Sequence, residues 1–87
     1  MPSIYGGQCM SHVLAQLRVG ANVLALFPVR WDRSGYTKRD IKMRVIRVDR
    51  AKQEVQGVVL WANHECPLRE GDEVTIPMMD IRQIALY

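Results

Sequence analysis

Cysteine is scarce in this chain, with Cys9 and Cys66 the two present among 87 residues. That is too few for a disulfide scaffold, so the expectation is a reducing, cytoplasmic setting with two free thiols. Long apolar runs are missing as well. No stretch approaches the roughly 18 residues that a membrane-crossing helix needs. The opening MPSIYGGQCMSH lacks a basic stretch followed by an apolar core, so no secretory signal is expected. There is no nucleophile elbow, no phosphate-cradling glycine loop and no paired-carboxylate cleft in the pattern, which argues against an enzyme and leaves no cofactor implied. Internal repeats and low-complexity tracts are absent too.

What is present is an ordinary globular mixture, 48% hydrophobic and 24% charged, with a formal net charge of +3. A chain of 87 residues makes one domain. A domain of that size buries about 60–65% of its unfolded surface, so its core is thin. The mild basicity permits a nucleic-acid or acidic-protein partner without requiring one.

Positions 1–10, with Pro2 and the paired glycines, read as a flexible lead-in, and 11–87 as a single small domain. Ser11 suits the cap of a two-turn helix over SHVLAQLR, with Val13, Leu14 and Leu17 on one face and Gly20 just past its end. ANVLALFPVRW is apolar at nearly every position and predicts a strand buried on both sides, with Pro28 marking an edge or bulge. RWDRSGYTKRD then breaks the pattern and predicts a polar loop of functional length, turning at Ser34-Gly35.

The most informative stretch is IKMRVIRVDR at 41–50. Ile41, Met43 and Val45 alternate with Lys42 and Arg44. Strict alternation would then turn Arg47 inward. One extra residue at Val45-Ile46, a β-bulge, restores the phase, so that Val48 joins the inward set and Arg47 and Asp49 the outward one. Such a bulge bends a long strand as a small barrel requires. EVQGVVLWA follows a short hairpin connection. Its register predicts Val55, Gly57, Val59 and Trp61 on one face and Val58, Leu60 and Ala62 among those on the other. After the loop NHECPLREGD, EVTIPMM and RQIALY predict two short strands separated by a helical corner, with Ile84 and Leu86 inward.

The expected fold is therefore mainly β, a five-stranded small barrel with a short N-terminal helix. EVQGVVL with its mid-strand glycine, and the ending IPMMDIRQIAL, resemble the SH3-like barrels and among them the Sm-like arrangement. In outline the chain is also similar to the Rho-binding antitermination proteins, a resemblance that implies a protein partner.

Four candidate sites emerge. Arg30, Trp31, Arg33, Tyr36, Lys38, Arg39, Lys42, Arg44 and Arg47 interleave cations, which neutralise phosphates, with aromatic rings, which stack on bases. The same residues suit an acidic protein surface. The expected function is accordingly a non-enzymatic binding module for nucleic acid. The alternative is a protein-interaction module, an inhibitor or adaptor of a larger protein carried by a mobile or accessory gene. Cys9, His12, His64 and Cys66 form two ligand pairs that could make a tetrahedral zinc site, although His-x-Cys is an unusual spacing and coincidence accounts for it. Cys66 with His64, oriented by Asp72 or Glu65, is a nucleophile-and-base pairing in a domain too small for a deep pocket. Val58, Leu60 and Ala62 form an apolar outer face suited to a homo-oligomer.

Overall fold

A computed structural model describes residues 15–85. Five strands follow one another along the chain: β1 (Asn22–Asp32), β2 (Gly35–Asp49), β3 (Glu54–Ala62), β4 (Glu73–Pro77) and, after a 3-10 helix at Met78–Asp80, β5 (Ile81–Ala85). They form one antiparallel sheet in the order β4-β3-β2-β1-β5. The mainly β, five-stranded expectation holds. Among the described residues Ala15 alone of the expected N-terminal helix is helical, and positions 11–14 lie outside them.

The sheet curls strongly. In a flat sheet β4 and β5 would lie four strand spacings apart, about 19 Å. Yet three residues of 3-10 helix join them, a rise of about 6 Å. Only a coiled sheet brings its two edges that close, and β1 accordingly approaches β4. Hydrogen bonding does not complete the ring, because no ladder joins β4 to β5 among the described residues. The partly open small barrel expected from the sequence is thus found as a curled, open sheet.

Bulges supply the curl. Val45 pairs with Gly57 and Arg47 with Gln56, which leaves Ile46 as the extra residue. The phase correction read from the sequence lies where expected. Ile41, Met43 and Val45 are fully buried, Val48 packs on the same core, and Arg47 is exposed. The segment ahead of β1 secures the bend: Gly20 N–H donates to Val45 O at 2.8 Å, and Val45 N–H donates to Ala21 O at 2.8 Å. Leu17, the one described member of the expected helix face, is buried in the core. Gly57 lets the chains close up here, since a Cβ at that position would lie 2.8 Å from the Arg44 carbonyl oxygen and 2.9 Å from Met43 Sδ.

Three expectations are corrected. First, β1 buries one face, through Val23 and Ala25, while Leu24 and Leu26 on the other are half-buried. Second, positions 30–40 are not a long loop. Asp32 pairs with Gly35, so two residues turn a tight hairpin. Asp32 Oδ1 accepts hydrogen bonds from Ser34 N–H at 2.9 Å and Ser34 Oγ at 2.7 Å, and Gly35 takes the positive φ of 113° that the turn needs. The polar composition reflects solvent on both faces rather than absence of a strand. Third, β3 has its own bulge at Leu60, because Lys42 pairs with Trp61 and Met43 with Val59. That shift turns Trp61 out, to 48% exposure, and sets Ala62 opposite Ile41, against the core.

Candidate nucleic-acid interface

The outer face of β2 is where the predicted cations gather. Alternation runs unbroken along β2 from Gly35 to Val45, because the bulges facing this stretch lie on its neighbours, at Val29 on β1 and at Leu60 on β3. Tyr36, Lys38, Asp40, Lys42 and Arg44 therefore share one side, and Arg47 rejoins it after the bulge at Ile46. Lys42, Arg44 and Arg47 are all exposed.

Trp61 completes this row. Lys42 Nζ sits over its ring, 5.8 Å from the centroid. A cation–π contact of this kind is worth about 0.5–1 kcal/mol at an exposed site. More importantly, it holds an ammonium and a half-exposed indole side by side. No carboxylate pairs with Arg44 among the described residues, and Arg47 reaches Asp49 only at 3.8 Å. These cations thus keep their charge largely uncompensated. Sequence reasoning placed Trp61 on the same face as Val55, Gly57 and Val59. Both faces of β3 are apolar around it, so no alternation signals the bulge at Leu60.

The remaining predicted site residues lie on the β1–β2 hairpin. Beyond Leu26 and Asp40 neither β5 nor β3 pairs with it, so it projects as a two-stranded arm. Its cations are mostly committed. Arg39 Nε donates to Glu65 Oε1, with Arg30 3.6 Å from the same carboxylate. Lys38 donates to Asp80 Oδ1 at 2.9 Å. The Arg39 hydrogen bond, above all, holds the Glu65 carboxyl below its ordinary range. Asp32 is likewise lowered, by its hydrogen bonds from Ser34. Glu65 and Asp80 are therefore anchors for the arm, partners that no local spacing announces. Arg33 at the turn is exposed and has no carboxylate partner among the described residues.

At the arm's end Trp31 and Tyr36 are direct cross-strand partners. Their rings pack edge to face with centroids 4.6 Å apart. They remain 67% and 62% exposed, so the pair covers itself very little. The aromatic rings of the predicted loop are thus presented to solvent rather than folded onto the core.

Of the candidate zinc and nucleophile sites, the described residues include His64 and Cys66. His64 is exposed while Cys66 is buried, and burial pushes the Cys66 thiol above its usual range. A buried thiol held in its protonated form is a poor nucleophile. Among the described residues no group of three or more His, Cys, Asp or Glu is placed to hold a metal ion. Cys9 and His12 lie outside them. Of the proposed apolar face, Val58 sits opposite Arg44 and Leu60 in the bulge, both half-buried, while Ala62 belongs to the core side. No described helix is long and apolar enough to cross a membrane.

No protein-family model, curated protein or solved structure matches this chain.

Proposed function

We propose that the chain is a non-enzymatic binding module that takes nucleic acid on the outer face of β2 and β3. One observation carries this reading: Lys42, Arg44 and Arg47 line one side of a bulged strand, with the half-exposed Trp61 ring against the first of them. Phosphates meet cations there whose charge is largely uncompensated, and bases meet an aromatic surface. In this reading the curled sheet is a small barrel of the SH3-like or Sm-like kind, its seam held by packing between β1 and β4 rather than by a ladder. The close joining of β4 to β5 supports that description.

Three phosphate contacts set the expected salt dependence. A slope of about −0.7 per contact for a single strand gives about −2 in log affinity against log salt. Raising salt from about 50 to 200 mM should then weaken binding about sixteenfold. The test is an electrophoretic-mobility titration of the chain with single- and double-stranded DNA and RNA at those two salt concentrations. Replacing Lys42, Arg44 and Arg47 together with alanine should remove the slope. Replacing Arg30 and Arg39 should change it less, since both already lean on Glu65. Salt-independent binding, or none, would refute the reading. Because Val58 lies on this same face, self-association through Val58 and Leu60 would compete with the ligand. Light scattering with and without oligonucleotide separates the two uses.

A further inference from the structure

Resting on that reading, we propose that the ligand is a single strand, gripped at two aromatic stations along β2: Trp61 beside Lys42, and the Trp31–Tyr36 pair at the end of the arm. Tyr36 and Lys42 are on the same face of one strand, six positions apart. At about 3.3 Å per residue the stations are about 20 Å apart. Each station has a ring surface open to solvent, 48% exposed at Trp61 and 67% and 62% at Trp31 and Tyr36. Stacking accepts any base, but only a base that is not already stacked inside a duplex.

Charge decides between single and double strand. Three largely uncompensated cations are few for a duplex reader, whose affinity rests on phosphates. Between the stations the field is weaker still, because Lys38 is taken by Asp80 and Asp40 is exposed on the track. Phosphate contact therefore begins at Lys42 and continues toward Arg47, while the arm contributes stacking, with Arg33 alone as an uncommitted cation beyond it. A duplex gains nothing from either station. A flexible strand gains from both, and its backbone can pass wide of Asp40. At the 3.4 Å rise of a stacked strand, about six nucleotides bridge the gap, and an unstacked strand needs fewer.

The test uses the full chain and fluorescence anisotropy with labelled oligo-dT of four, eight, twelve and sixteen nucleotides, beside a twelve-base-pair duplex, at about 50 mM salt. Affinity should step up about tenfold between four and eight nucleotides, as the second station is reached, and level off beyond. The duplex should bind at least about tenfold more weakly than the single strand of equal length. Trp31→Ala with Tyr36→Ala should erase the length step without abolishing binding, whereas Trp61→Ala should weaken all lengths and Trp61→Phe should restore them. Intrinsic tryptophan fluorescence of the unmodified protein, which both stations share, should fall on binding and needs no variant to fold. Equal affinity for duplex and single strand, or a length series indifferent to Trp31 and Tyr36, would overturn the two-station grip while leaving the basic face as a nucleic-acid site. No binding to any oligonucleotide at low salt would overturn the parent reading and this one with it.

Discussion

Gly57→Ala is the sharpest probe of the bend on which the basic row depends. The added methyl would lie 2.8 Å from the Arg44 carbonyl oxygen, 2.9 Å from Met43 Sδ and 3.1 Å from Met43 Cε. Methionine is flexible and its two contacts can relax. The carbonyl cannot move alone, because it belongs to the β2–β3 ladder one residue from the Val45–Gly57 pair. A carbon rests about 3.3–3.6 Å from a carbonyl oxygen, so the strands must part by about half an ångström. Overpacking of this kind costs about 1–3 kcal/mol. Alanine returns about 0.4–1 kcal/mol by restricting the unfolded chain. The net loss should be about 1–2 kcal/mol, which in a domain of this size lowers Tm by about 5–15 °C. Urea and thermal unfolding followed by circular dichroism measure it, with the urea slope unchanged. In a Met43→Ala background most of the cost should persist, since the backbone contact remains. A Gly57→Ala protein as stable as the parent would refute the close approach of β2 and β3 at the bulge. The geometry that turns Arg47 outward would then need another explanation.

Two further perturbations test the arm's anchors. Removing Lys38 as Lys38→Met leaves Asp80, only 8% exposed, without its 2.9 Å partner; a loss of about 1–3 kcal/mol in urea unfolding is expected, and unchanged stability would show that the pair anchors nothing. The carboxyl of Glu65 is held below its ordinary value of 4.5, so the folded state binds its proton less readily than the unfolded one. The stabilisation is therefore fully present above the ordinary value and is lost as pH falls through the depressed one. As pH falls below the ordinary value of 4.5 and through the depressed one, the Arg39 Nε resonance should shift as the anchor is released, and Glu65→Gln should abolish that shift.

The β2 register was legible because both of its signals are chemical. Basic side chains cannot face a core of Ile41, Met43 and Val45, so the stumble at Val45-Ile46 had one reading, and Ile46 is the extra residue. The bulge at Leu60 carried no such contrast. With Val58, Val59, Leu60, Trp61 and Ala62 all apolar, either phase buries hydrophobic surface, and the sequence does not say that Trp61 is the one turned out. The hairpin at 33–34 was hidden for the opposite reason. Past Val29 the arm is wet on both faces and loses the apolar alternation by which a strand is recognised, although Asp32, Ser34 and Gly35 already spell its turn.

These two blind spots have one cause, and it bears on function. Alternation reveals a strand only where one face is buried and the other wet. It fails where a strand must offer an aromatic ring to solvent beside apolar neighbours, and where a ribbon leaves the sheet altogether. Trp61 and the Trp31–Tyr36 arm are those places. Leaving an indole 48% or 67% exposed forgoes part of the roughly 1.5–3 kcal/mol that full burial of a large apolar side chain gives, and this domain does so twice on a thin core. A fold with so little apolar surplus would gain stability by tucking both rings inward. The bulge at Leu60 and the anchors at Glu65 and Asp80 instead hold them out along the strand that carries the uncommitted cations, an arrangement that stability alone does not explain and that the proposed binding of nucleic acid would.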